Sequence, residues 1–259
     1  MLIAAILIVV VTIISISRID GVAVASTTSE TPPVSEKIET PVYDKATLVK
    51  LMAECDAHIG HAEQMKAGAY GLGYEADNYV IQLAEREIQE AIEEKSGYQV
   101  LLDEILAEEA RWARRMNEYP AATTIWLYLR ELGYNDYVCA GILGNIMNEV
   151  GGNTMKLRVN LVDHSGYYYG ICQWSKGGYP RVWYTDLDFQ LDFLRDTIQR
   201  ELDTYGYMYQ KGMKYSQFLS LTDSKQAALA FAKAYERCSS KSYTARQNNA
   251  EKAYNYFVG

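Results

Sequence analysis

The residue best placed to do chemistry is Glu149, at the end of the segment DYVCAGILGNIMNEVGG. With about 100° of rotation per residue, Val138, Cys139, Ile142, Leu143, Ile146 and Val150 form one apolar stripe of a helix. Glu149 falls just inside the edge of that stripe, one turn beyond Asn145. Partial burial and the negative end of the helix dipole both disfavour an ionised carboxyl. A carboxyl kept protonated near neutral pH is what a general acid needs to break an acetal C–O bond. The plain alternative is a surface Glu that borders the core. Some twenty positions later comes YYYGICQWS, holding Tyr169, Gly170, Gln173 and Trp174. Glycine lets backbone approach a ligand, a Gln amide can meet an N-acetyl amide, and aromatic faces stack on pyranose rings. Asn145, Tyr169, Gly170, Gln173 and Trp174 are therefore the candidate substrate-binding residues.

Cleavage by two carboxylates needs a partner roughly 5 to 9.5 Å from the acid. Asp163 is the candidate second catalytic carboxylate by position. It fits equally well as a turn residue ahead of Ser165 and Gly166. With no partner, Glu149 would serve as acid and then as base. His164 and Ser165 beside Asp163 do not make a triad, because chain neighbours rarely meet in that geometry and no nucleophile elbow is present. Cys172 with His164 is a weak case for a cysteine nucleophile, since Cys172 does not open a helix.

The elements that must hold these residues read as follows. Residues 121–132 form a helix, and 136–150 form a second, ended by Gly151 and Gly152. Residues 153–184 carry β-branched residues and turn signals that suggest a small hairpin. Thr185, with Asp188 three positions on, reads as the cap of a helix whose face is Leu187, Leu191, Leu194, Ile198 and Leu202. Further helices fit 222–237 and 244–257. The expected fold is mainly α, an α+β C-terminal domain with a small β-hairpin over residues 120–259.

Ahead of it, residues 44–118 contain no proline and are rich in Ala, Glu, Leu and Lys. Apolar residues recur there at three- and four-residue spacing, with breaks at 71–73 and 96–97. About three helices in a hairpin or coiled coil are predicted, a module suited to spacing, docking or self-association. Cys55, His58, His61 and Glu63 lie at helical spacing, but one such cluster on an exposed helix is weak grounds for a metal, and no cofactor is expected. Residues 18–43 read as a flexible linker, with three of the five prolines between 26 and 42. Met1–Ile16 is almost wholly apolar. It is short for a membrane span and suits a signal peptide or an anchor, with Ala23-Val24-Ala25 resembling a cleavage site. Export beyond the cytoplasm, either membrane-anchored or secreted to the cell wall, is the expectation.

A net charge of -8 excludes a nucleic-acid footprint and leaves wall affinity to local contacts. The 22 tyrosines against 5 phenylalanines suit either a wet sugar-binding cleft or a tyrosine-rich helical core. Four cysteines are too few for a disulfide framework; the three in the C-terminal half would allow one bridge.

Residues 120–259 resemble the phage tail-type lysozyme family, within the lysozyme and lytic-transglycosylase superfamily. The resemblance is carried by CAGILGNIMNEVGGNT, YYGICQWSKGGYPRVW, DLDFQLDFLRDTIQREL and AFAKAYERC, then Arg246 and the closing AEKAYNYF. It implies that Glu149, in G-N-I-x-x-E, is the catalytic acid, and that Gly170, Gln173 and Trp174 line a glycan cleft. The implied activity is muramidase cleavage of peptidoglycan between N-acetylmuramic acid and N-acetylglucosamine. The related transglycosylases leave a 1,6-anhydro sugar instead, and a wall-binding part of a phage tail or conjugation apparatus would bind without turnover. The sequence departs from the family where Cys238 stands in place of a proline, and in the loop after Glu149, which lacks an Asn-Pro pair.

Overall fold

The computed structural model describes residues 43–206, 208 and 213–259. The chain divides into two compact units, Met1–Arg111 and Trp112–Gly259. The apolar start and most of the linker lie outside the described residues. Among the described residues no helix is long and apolar enough to cross a membrane.

Among the described residues, the first unit holds a pair of long helices rather than the three expected over 44–118. Helix α1 is Lys45–Gly71 and α2 is Tyr79–Glu118. The break at 71–73 forms, but α2 passes through Ser96 and Gly97 without interruption. Gly97 is tolerated because its surroundings are open and the neighbouring turns are rich in strong helix formers. Leu48, Cys55, Ala62 and Ala69 are buried at seven-residue intervals on α1, so one narrow seam holds the pair. Ile81, Ala84, Ala91 and Ile105 are the buried residues of α2 in this unit. Lys45–Glu109, Lys66–Glu85 and Lys95–Asp56 ion pairs tie the antiparallel helices along their length. Exposed pairs of this kind contribute about 0–1 kcal/mol each. Among the described residues no group of three His, Cys, Asp or Glu is placed to hold a metal.

The second unit begins inside α2 rather than after it, because Trp112 and Arg115 belong to its core. Trp112 stacks on Phe257 and Arg115 donates to the Tyr256 carbonyl at 2.9 Å. Helix α3 is Pro120–Glu131, with proline in its first turn where no amide donor is missed. Helix α4 is Asp136–Val150; the Asn135 side chain accepts from the Val138 amide to cap it. Eleven of its fifteen residues are buried, so α4 is the central helix of the domain. Its neighbours are α7 (Ser224–Phe231), which continues into a wider turn at Ala232–Glu236, and α8 (Tyr243–Phe257). Two glycines make this packing possible. A Cβ on Gly141 would lie 2.5 Å from Ala227 Cβ, and one on Gly144 would lie 2.5 Å from the Ala250 nitrogen.

Between α4 and the later helices lies the expected hairpin. Strands β1 (Tyr168–Tyr169) and β2 (Trp174–Ser175) pair antiparallel, Tyr168 opposite Ser175 and Tyr169 opposite Trp174. Helix α5 is Leu187–Glu201, and Leu191, Leu194 and Ile198 are buried along it. Its cap is Asp186, whose carboxylate accepts from the Phe189 amide, and not Thr185. Thr185 instead bonds back to the Val182 carbonyl at 2.7 Å. A short helix α6 (Tyr215–Leu219) was not legible in the periodicity. All four cysteines are free thiols, so the bridge that the spacing allowed is not formed.

Candidate active site

Glu149 sits in the last turn of α4, where Gly151, Gly152 and Asn153 end the helix. Gly152 and Asn153 adopt left-handed backbone, and the Asn153 amide reaches back to the Met147 carbonyl. About 20% of the Glu149 side chain is exposed. Its carboxylate is ion-paired with Arg246 of α8, whose side chain is only 3% exposed. The same guanidinium donates to Asn145 Oδ1 at 2.9 Å and to the Ser242 hydroxyl at 3.2 Å. Asn145 donates in turn to the Gly141 and Ala228 carbonyls. The acid candidate is thus a partly open member of a polar chain whose Asn145 and Arg246 are buried.

A second carboxyl group joins this cluster. Glu236, at the end of the turn after α7, has a buried Oε1 without a hydrogen-bond partner. Burial and the negative charge of Glu149 push its pKa up to about 8, against the pull of Arg246. The Cys172 thiol interacts with the same carboxyl, and burial and Glu236 raise the thiol's own pKa. Sequence reasoning gave Glu236 and Arg246 no role. Both lie in matching text, but nothing local shows that residues 87 and 97 positions away face Glu149.

Four of the expected substrate contacts are buried and engaged within the protein. Asn145 is fully buried and holds Arg246. The Trp174 ring is 4% exposed, packs edge-on against Phe193, and donates its indole N–H to the Tyr235 hydroxyl. Tyr169 is buried, and its hydroxyl donates to Asn160 and to the Thr185 carbonyl. Gly170 has φ +79 and packs so closely that a Cβ would lie 2.5 Å from Gln190 Oε1. Gln190, which accepts from the Ile171 amide, is the buried residue that fixes this turn. Gln173 is partly exposed, and its amide nitrogen donates to the Leu161 and Gly170 carbonyls. The ordered G-x-x-Q-W segment is therefore mostly a framework beside the acid.

Asp163 is engaged in its own turn. Its carboxylate accepts from the Ser165 hydroxyl at 2.6 Å and from the Tyr167 and Tyr168 amides at 2.9 Å. The Ser165 hydroxyl bond, followed by the Tyr168 amide, holds it well below the usual carboxylate range. Both oxygens are taken up by the turn, which is the alternative the sequence left open. Tyr167, Tyr168 and Tyr184, in and after the hairpin, are exposed aromatics of this domain, as is Phe189 on α5.

Where Cys238 replaces the family's proline, its amide donates to the Ala232 carbonyl at 3.3 Å, a bond that proline could not make.

The mainly helical domain with one small hairpin has a lysozyme-like fold. The chain belongs to the phage tail lysozyme family, whose model matches residues 120–257. That membership makes it a lysozyme-like glycosidase with peptidoglycan as its substrate class. Comparison with curated proteins and with solved structures returns no match.

Proposed function

We propose that the chain is an exported muramidase that hydrolyses peptidoglycan glycan strands, with Glu149 protonating the leaving oxygen. The observation that carries this reading is the contrast at the cluster: Asn145 and Arg246 are buried while Glu149 is partly open. A proton donor needs that contrast, because its neighbours must be fixed while its own oxygen meets substrate. Tyr167, Tyr168 and Tyr184 offer exposed faces for sugar rings, in place of Trp174. The long helical pair would act as a spacer or self-association module between an N-terminal signal or anchor segment and the enzyme.

A second reading draws on Asp163. With that carboxylate engaged in its own turn, Glu149 would act alone as acid and base, as in a lytic transglycosylase. Mass analysis of products from Gram-positive sacculi separates the two. Reducing-end muropeptides are expected; 1,6-anhydro ends would replace hydrolysis with transglycosylation. Wall co-sedimentation without soluble products would instead indicate a binding component.

A further inference from the structure

Glu149 pairs with the buried Arg246 guanidinium, and the Glu236 carboxyl lies near enough to interact electrostatically with both. Arg246 is paired with Glu149, while Glu236 Oε1 is buried and unpartnered. Were both carboxyls ionised, the cluster would hold an uncompensated buried charge, which is costly. The charged and titratable groups facing Glu236 are Glu149 of α4, Cys172 of the hairpin turn, Arg246 of α8, and Tyr235, Arg237 and Cys238 beside it. Burial raises the Cys172 and Tyr235 pKa values well above their ordinary ranges and that of Cys238 more modestly, so all three stay neutral near pH 7. Arg237 is already paired with Glu201 and bonded to Tyr179. Glu149, Arg246 and Glu236 therefore set the charge of the cluster among themselves.

We infer that Glu236 is a positioning residue that holds the proton Glu149 will use, the two carboxyls sharing one proton and one guanidinium. In the first arrangement of the proposal, Arg246 is paired with Glu149, as in the structure, and Glu236 keeps the proton. In the acid-competent arrangement the proton has passed to Glu149, and Arg246 has turned to the Glu236 carboxylate. One O–H bond breaks at Glu236 and one forms at Glu149; no electrons are exchanged, and the buried charge is unchanged. The orphaned Oε1 is the acceptor that this second arrangement uses. The exchange explains how a glutamate paired with arginine can still donate a proton. It rests on Glu149 being the acid.

The test is the pH–rate profile of the full chain on Gram-positive sacculi, for wild type, Glu236→Gln and Glu236→Asp. Glu236→Gln keeps size and polarity but has no proton to lend. It is expected to lose about tenfold or more in rate near pH 7 and to move its alkaline limb acidward by about one pH unit. Glu236→Asp should recover part of both. A Glu236→Gln enzyme with wild-type rate and profile would overturn the inference while leaving Glu149 as the acid. Should Glu236→Gln fail to fold, infrared spectroscopy of wild type decides. A protonated carboxyl band near pH 7 that disappears around pH 8 is expected; its absence near pH 7 overturns the inference. Failure of the Glu149 assignment shows separately, as full activity of Glu149→Gln.

Discussion

Arg246 reaches across 97 positions of sequence to pair with Glu149, and its other amino group donates to Asn145, one helical turn earlier on α4. One guanidinium thus fixes the end of α4 against α8 and orients the candidate acid. Replacing Arg246 with Leu leaves a buried Asn145 oxygen without its donor and Glu149 without a counter-charge. A destabilisation of about 3–5 kcal/mol is expected, read by urea unfolding of the full chain. A change under about 1 kcal/mol would mean that the pair does not tie the helices together.

Gly144 sets how closely the same two helices approach. Gly144→Ala puts a methyl 2.5 Å from the Ala250 nitrogen, and backbone cannot yield as a side chain can. Overpacking of this kind costs about 1–3 kcal/mol. The melting temperature should fall, and activity should fall with it as Arg246 moves relative to Glu149. An unchanged melting temperature would show that α4 and α8 shift apart freely.

Glu236 makes stability depend on pH in a direction opposite to that of an ordinary carboxylate. Its folded pKa, about 8, lies above its unfolded value, so the folded state binds the extra proton between the two. The stability this gives is complete below about pH 4 and is lost as pH rises through 8. Unfolding free energy should decline between those limits in wild type and be flatter in Glu236→Gln. Equal slopes would remove Glu236 as the cause.

For Asp163 the sign reverses. Its folded pKa is lowered, so its contribution is present above about pH 4 and is lost as pH falls further. Asp163→Asn should loosen the turn at 163–168, seen as faster amide exchange at Tyr167 and Tyr168, while keeping activity within about tenfold of wild type. A loss of 10³-fold or more would restore Asp163 to the catalytic pair.

Exposed aromatics are expected to carry glycan binding. Tyr168→Ala and Tyr184→Ala should each weaken wall co-sedimentation about tenfold with little change in melting temperature, since both rings meet solvent. Trp174→Ala should unfold the domain, at about 3–5 kcal/mol, because its ring lies in the core. Weakened binding by a folded Trp174→Ala variant alone would reverse these roles.

Legibility in the sequence followed locality. Helix α4 and its glycine stop could be read residue for residue, because stripe and terminator lie within one segment. The hairpin and the break at 71–73 were likewise local. The side of the chain that each motif residue faces was not. Trp174 and Tyr169 have the chemistry of sugar contacts, yet Tyr235, Asn160 and the Thr185 carbonyl, all remote in sequence, claim their polar ends. Gln190 is buried because it accepts from the Ile171 amide and donates to Asn160 and to the Thr185 carbonyl, and the first two partners lie outside its own segment. Glu236 ends a turn whose surroundings come from three other elements, so its isolation from water had no local signature.

Release of soluble muropeptides from Gram-positive sacculi by Glu149→Gln, with folding checked by circular dichroism, tests the central claim most directly. Loss of release by at least about 10³-fold in a folded variant is the predicted result. Release at the wild-type rate would contradict Glu149 as the acid and, with it, the catalytic reading of the cluster.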